Sequence, residues 1–126
     1  MKITWLHTGQ DGRSHFTDLL VPFAQEGEAL RSPLFGGTGA AFGASNTVSP
    51  LGEFHNAPRR QWVVILTGGM EVEIGDGTVR RFGPGEVFLA DDLKGQGHRT
   101  GSYAAPRCIM TVPVNDDAHP QDWKPA

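Results

Sequence analysis

The sequence predicts an all-β protein, built as a sandwich or barrel of short strands. Seventeen glycines and nine prolines interrupt the 126 residues, and they fall between apolar segments of about five to eight residues. No segment shows a convincing amphipathic helical period. The length suits one domain with a single core. We therefore expect one domain over 1–126, with its core over about 40–114 and a polar C-terminal tail over 115–126.

The N-terminal third predicts strands whose ends are loosely defined. Residues 2–7 fit a first strand, and 9–12 supply turn-forming glycine and aspartate. Residues 16–23 fit a second strand or a short turn of helix. A glycine-rich stretch over 34–45 predicts a loop, which leads into a strand that ends near His55.

The middle of the chain has the clearest strand pattern. Residues 61–67 are apolar and β-branched, and the paired glycines at 68–69 end that run. Strict alternation over 70–74 places three apolar side chains on one face of a half-buried antiparallel strand. An Asp-Gly pair at 76–77 favours a tight hairpin turn, after which 78–82 returns.

Two further strands are predicted in the C-terminal third. A Gly-Pro-Gly turn at 83–85 precedes a strand over 86–90, and the apolar residues of 107–114 form the last strand. Strands separated by turn signals in this way are typical of all-β sandwiches and barrels.

Charge and composition exclude several classes of function. Eleven basic and fourteen acidic residues give a net charge of -3 without a basic stripe, which argues against nucleic acid as a partner. The longest apolar run, 62–66, is far too short to cross a bilayer, so a cytoplasmic protein without membrane association is expected. The single cysteine, Cys108, excludes an internal disulfide, and its apolar neighbours favour an inert buried thiol.

Histidine, glycine and proline recur in two motif-like stretches between residues 55 and 98. They consist of His55, Gln61 and Gly68, then Gly75-Asp76-Gly77, Gly83-Pro84-Gly85-Glu86 and His98. Their order and spacing resemble the two motifs of the cupin superfamily, and in particular its small single-domain bacterial-type members. The resemblance implies a double-stranded β-helix, or jelly-roll, cupin barrel that includes most of the chain.

The resemblance also implies a divalent metal ion inside the barrel, usually iron, manganese, nickel or zinc. Carried onto this sequence, the metal ligands are His55, Gln61 and His98. The second histidine of the first motif falls on Ala57, which cannot coordinate a metal. The carboxylate position falls on Gln61, whose amide oxygen is a neutral and weaker donor. Water or a substrate carboxylate would have to complete the shell.

Candidate catalytic groups follow the strand predicted over 86–90. Asp91 and Asp92 stand at a strand end near the presumed barrel mouth, where either is a candidate general acid or base; the alternative is a turn residue that bonds the local backbone. His98 is a further candidate catalytic residue, which would act directly on substrate if no metal is bound. The loop over 91–97 would either cover a ligand pocket at the barrel mouth or form a solvated connection.

Arginine supplies the remaining candidate. Alternation back from Gln61 turns Arg59 inward and Arg60 outward. A buried guanidinium needs an anion. That anion is either a side chain of the protein, with Glu53, Asp91 and Asp92 as the candidates, or a bound carboxylate ligand.

These residues favour a protein that acts on a small molecule inside the barrel. With a metal, the expected chemistry is that of an isomerase, a lyase or, with iron, an oxygenase; the last is less favoured because the ligand set has no charged member. One alternative is a metal-free module that binds a small acidic ligand through an arginine. Another is metal-free acid–base catalysis by a histidine and an aspartate. The resemblance further implies a homodimer paired through apolar sheet faces.

Overall fold

The computed structural model describes residues 1–126 and confirms the all-β prediction. A single turn of 3-10 helix, Pro120–Asp122, is its only helical segment. No helix has the length and apolarity needed to cross a membrane. The nine strands are β1 (Lys2–Thr8), β2 (Ser14–Leu20), β3 (Ala24–Glu26), β4 (Ala29–Arg31), β5 (Ala41–Ser45), β6 (Gln61–Ile74), β7 (Val79–Phe82), β8 (Val87–Asp91) and β9 (His98–Pro113).

Seven of these strands form one mixed sheet. Its order is β2-β1-β8-β6-β9-β5, and β7 pairs with the second half of β6. The β1–β8 pair is parallel and the other pairs are antiparallel. Strands β3 and β4 form a separate hairpin. Because β2 and β5 remain as edges, backbone pairing does not close this sheet.

The long strand β6 folds the sheet back on itself. It has 14 residues, which would span about 45 Å if straight. Yet Gln61, at its first residue, lines the same cavity as His98, which pairs with Ile74 at its last residue. Register shifts against β9 between residues 65 and 70 explain the bend, since bulges sharpen strand twist and curvature. The two halves of β6 therefore face one another across an interior.

The paired glycines do not end the strand as predicted. Gly68 adopts a φ of 69°, a conformation that suits the extra residue of a bulge, so pairing with β9 resumes on the far side. Strand β9 likewise begins at His98 rather than near 107. Local pattern did not reveal its first half, because residues 98–106 gain their strand conformation from long-range pairing with β6.

Residues 46–60 also depart from prediction, because the strand expected to end near His55 does not form, whereas β5 (Ala41–Ser45) lies within the segment 34–45 that was predicted to be a loop. The chain then continues through isolated bridges that join Ser49 to Ser102 and His55 to His98. Pro50 and Pro58 lie in this stretch, and proline has no N–H to donate to a ladder.

Apolar side chains cover both faces of the sheet. The alternation over 70–74 is confirmed, because Met70, Val72 and Ile74 are buried in the interior cluster together with Val63 and Phe88. On the outer face a second cluster forms around Ile3, Leu19 and Leu89. The polar tail predicted over 115–126 packs here: Ala118 and Pro120 are buried, and Trp123 stacks on Trp62 at 6.3 Å between ring centroids. The aromatic and proline residues of this segment pack against the protein although the segment also contains charged residues.

An ion pair between β2 and β7 predicts a pH dependence of stability. Arg80 and Thr4 both donate to Asp18 Oδ1, at 2.5 and 2.9 Å. Burial acts to raise the pKa of Asp18, but these hydrogen bonds and the Arg80 charge hold that pKa below its ordinary value of 3.8. A depressed carboxyl pKa stabilises the fold above the unfolded-state pKa, and this stabilisation is lost as the pH falls through the lower folded-state pKa.

We therefore expect wild type to exceed Asp18→Asn in free energy of unfolding at neutral pH, and expect the difference to shrink below the ordinary aspartate pKa. Urea unfolding of both proteins across that range measures the difference. A difference that stays constant down to strong acid would contradict the assignment of this carboxylate.

Candidate functional site

A cavity of about 120 Å³ lies inside the folded sheet and contains all three predicted metal ligands. Its apolar wall comes from β6, β8 and β9, including Val63, Phe88 and Ile109. Its polar groups are those of His55, Gln61, His98, Thr100 and Thr111. Larger grooves exist on the surface, the largest of about 460 Å³ beside Trp123, but no histidine lines that groove. The inner cavity is therefore the candidate site.

Backbone pairing brings the two histidines together. The N–H of His55 donates to the carbonyl of His98 at 2.7 Å, and the N–H of His98 donates to the carbonyl of His55 at 2.9 Å. Their ring centroids lie 4.6 Å apart at an interplanar angle of 58°. Forty-three positions separate the two residues in sequence, so the fold alone creates this pair.

A buried carboxylate holds the His98 ring. Nδ1 of His98 lies 2.6 Å from Asp92 Oδ2, and Ser14 Oγ donates to the same oxygen at 2.6 Å. Exposed fractions are 5% for His98, 0% for Asp92 and 2% for Ser14. A carboxylate accepts, so Nδ1 is the protonated donor and Nε2 is left free of this contact.

The His55 ring is held in a similar way. Its Nδ1 lies 3.1 Å from the carbonyl oxygen of Glu53, which can only accept a hydrogen bond. The Nε2 atom of His55 is therefore also free of this contact. The His55 side chain is exposed, so this wall of the cavity is open to solvent.

Gln61 contributes a buried oxygen that has no partner. Its Oε1 atom is inaccessible and accepts no hydrogen bond from the protein, a deficit worth about 1–3 kcal/mol unless a bound group supplies a donor or a positive charge. No three His, Cys, Asp or Glu side chains converge on a point where they could hold a metal ion. Gln61 is therefore the residue that would have to be added to His55 and His98 to make three protein donors in this cavity.

Ala57 is the residue on which the second histidine of the first motif falls in the resemblance. It is buried, with 5% of its surface exposed, and it lines the cavity. Its N–H donates to the carbonyl oxygen of Asp92 at 3.2 Å. Its methyl side chain cannot coordinate a metal.

The other two candidate catalytic residues, Asp91 and Arg59, do not line the cavity. Asp91 Oδ2 accepts from Trp5 Nε1 at 2.9 Å and lies 3.4 Å from Arg60 Nε. The inward orientation predicted for Arg59 is wrong, because Arg59 is exposed and does not line the cavity. Arg60 does not line the cavity either; it is half-buried and also donates to the carbonyl oxygen of Ala118 at 2.7 Å. Arg59 lies before β6, which begins at Gln61, so the alternation of that strand does not extend to it.

The loop after β8 contacts two other segments of the site. Gln96 N donates to the Gly12 carbonyl at 3.0 Å, and Thr8 Oγ1 donates to the Lys94 carbonyl at 3.0 Å. Asn56 Nδ2 donates to the Gly95 carbonyl at 3.1 Å. These contacts attach the loop to the β1–β2 turn and to the segment that carries His55.

Two partners in this site were not predicted from the sequence: Ser14 was not assigned to the site, and Asp92, a candidate acid or base, was not predicted to contact His98. Extending the alternation of β8 by one residue beyond Asp91 would have turned Asp92 inward. No local signal connects Ser14 with the site, because it reaches Asp92 only through the β2-β1-β8 order of the sheet.

Comparison with protein-family models and with curated proteins found no match. No protein-family model matches the chain, and no curated protein matches it significantly. Function therefore has to be argued from the geometry of the cavity.

Proposed function

We propose that the chain is a cupin-type jelly-roll protein that binds a divalent metal ion through His55, Gln61 and His98 and acts on a small molecule beside it. One observation carries the proposal: both histidines engage Nδ1 with an oxygen acceptor and leave Nε2 free, and Gln61, which lines the same cavity, has an amide oxygen without a hydrogen-bond partner. Metal-ligating histidines usually hold their second nitrogen in this way.

The fold offers coarser support for the cupin assignment. An all-β sheet folded back on itself encloses the cavity, and residues of the two sequence motifs meet at that cavity. The Gly-Pro-Gly turn of the second motif precedes β8, and His98 begins β9. The jelly-roll assignment accounts for this arrangement.

The ligand set indicates the class of reaction. When bound, the ion would act as a Lewis acid that polarises a substrate oxygen or, as iron, would activate oxygen. Two imidazoles and an amide leave coordination positions open for water and substrate. The two-histidine, one-carboxylate set typical of Fe(II) oxygenases is not present, so isomerase or lyase chemistry is favoured. The volume of about 120 Å³ suits a substrate of few heavy atoms, because drug-sized pockets measure about 300–1,000 Å³.

A second candidate is metal-free acid–base catalysis. The observation that favours it is the buried Asp92–His98 contact, since a carboxylate that orients an imidazole is a recurring device in proton transfer. The aspartate of this pair is Asp92 rather than Asp91. Recognition of an acidic ligand by an arginine has less support, because Arg59 is exposed outside the cavity and Arg60 is paired with Asp91.

Metal content tests the proposal. Protein purified without a metal-chelating tag should contain a near-stoichiometric divalent ion, because the two Nε2 atoms and Gln61 Oε1 provide three donors. His55→Ala should lose most of that ion, whereas the control His119→Ala should retain it, because His119 is exposed and outside the cavity. Elemental mass spectrometry measures both. No metal after incubation with iron, manganese, nickel and zinc would contradict the metal site and leave the acid–base candidate, for which a bell-shaped pH–rate profile is expected.

A homodimer is part of the same proposal. On the outer face of β5, β9 and β6, Phe42 pairs with Met110, which pairs with Val64. Phe42 is 75% and Leu66 is 44% exposed. Exposed apolar side chains on one sheet face suit pairing with a second copy. Light scattering should give the mass of a dimer, and Phe42→Glu should give a folded monomer. A monomeric wild type would contradict the pairing.

A further inference from the structure

We infer that Asp92 is a positioning residue for the site: it fixes the His98 ring with Nε2 free and supplies, from behind that ring, the negative charge that the ligand set lacks. The inference rests on the proposed metal site. It assigns no direct metal contact to Asp92, because the carboxylate meets Nδ1 of His98 rather than the cavity.

The Asp92 carboxylate is buried where no basic side chain neutralises it. Asp92 is fully buried, and no lysine or arginine pairs with it: its carboxylate contacts His98 and Ser14, and Arg60 pairs with Asp91 instead. Its Oδ1 atom has no hydrogen-bond partner. A buried carboxylate without a counter-charge is costly. A cation at His98 Nε2 would place that counter-charge one imidazole ring away.

The three proposed ligands lack a negative charge. His55, Gln61 and His98 bring no formal negative charge to a divalent ion when both imidazoles are neutral. A carboxylate that accepts from the far nitrogen of a ligating histidine makes that histidine a stronger donor. Asp92 therefore supplies, through the His98 ring, part of the negative charge that a carboxylate ligand at position 61 would bring.

The backbone of Asp92 contacts the segment that holds the other histidine. Its carbonyl oxygen accepts from Ala57 N at 3.2 Å and lies 3.4 Å from Asn56 Nδ2. Those residues directly follow His55 in the chain. One residue thus contacts the His98 ring through its side chain and the His55 segment through its main chain. Ser14 fixes the carboxylate between them with its 2.6 Å hydrogen bond.

Titration with Co²⁺, followed by visible absorption, tests the inference on the purified full chain. Asp92→Asn is expected to weaken Co²⁺ binding about 10–100-fold, whereas the matched control Asp91→Asn, one residue away on the opposite face, should change it less than about twofold. Adding Gln61→Glu to Asp92→Asn should restore at least about tenfold in affinity, because a carboxylate ligand returns the missing charge. Equal affinities for Asp92→Asn and Asp91→Asn would overturn the inference.

Nitrogen-15 NMR of the metal-free protein separates this inference from the metal proposal. At mildly alkaline pH the wild-type His98 ring should carry its proton on Nδ1, and Asp92→Asn should shift population toward the Nε2-protonated tautomer. Wild type that binds no Co²⁺ but shows this tautomer dependence would defeat the metal site and support the positioning role. A wild-type His98 already protonated on Nε2 would overturn the positioning role whatever the metal does.

Ser14→Ala is the second variant, needed if Asp92→Asn does not fold. It keeps the carboxylate but removes one of its two hydrogen bonds, so we expect a loss of Co²⁺ affinity of about two- to tenfold together with a partial tautomer shift. Unchanged affinity and unchanged tautomer in this variant would count against the inference.

Discussion

Replacing His98 by alanine is expected to lower the free energy of unfolding by about 3 kcal/mol. The reason is that Asp92, which has no exposed surface, would retain only Ser14 as a side-chain partner. Removal of the imidazole leaves a buried carboxylate without one of its two hydrogen-bond donors, and such a loss costs more for a charged acceptor than for a neutral one. Urea or guanidinium unfolding at neutral pH measures the change.

Two controls make this result specific. His55→Ala removes an exposed ring from the same pair of residues and should cost less than about 1 kcal/mol. The double variant Asp92→Asn with His98→Ala should be more stable than His98→Ala alone, because it also removes the buried carboxylate that has lost its hydrogen-bond donor. Equal losses for His98→Ala and His55→Ala would contradict the account of the buried carboxylate.

Gly97→Ala is expected to lower the free energy of unfolding by about 3 kcal/mol or more and to abolish metal binding. Gly97 has a φ of +79°, and a Cβ atom there would lie 2.1 Å from the carbonyl oxygen of His55. That oxygen accepts the N–H of His98. The substitution therefore strains the backbone and separates the two histidines.

Gly77→Ala is the matched control for Gly97→Ala. It has a φ of +89° but open space around its Cβ position, so only the left-handed backbone cost of about 1–2 kcal/mol applies. Thermal or denaturant unfolding gives the stability of each variant, and a Co²⁺ titration gives binding. Gly97→Ala that binds Co²⁺ like Gly77→Ala would show that close approach of the two histidines is not required.

The sequence predicted best those elements whose pattern is set by a single buried face. Alternation over 70–74 identified the inward side chains of β6, and the Asp-Gly pair located the turn before β7. It failed where long-range pairing decides the conformation. The first half of β9 contains small and polar residues, which become a strand because the far half of β6 lies beside them.

The candidate site divides in the same way. His55, Gln61 and His98 were identified from their places in a motif order, and all three line one cavity. Ser14 was not found, because the β1–β2 hairpin and the parallel β1–β8 pair bring it to Asp92. The inward orientation predicted for Arg59 failed because alternation applies only within a strand, and Arg59 precedes one.

A crystal structure of the protein loaded with Mn²⁺ or Zn²⁺, measured with anomalous scattering, tests the central claim most directly. We predict one anomalous peak in the inner cavity, at about 2.0–2.2 Å from the Nε2 atoms of His55 and His98, with the Gln61 amide oxygen as a third ligand. A loaded crystal with no peak in that cavity, or with its peak only at surface carboxylates, would contradict the proposed metal site.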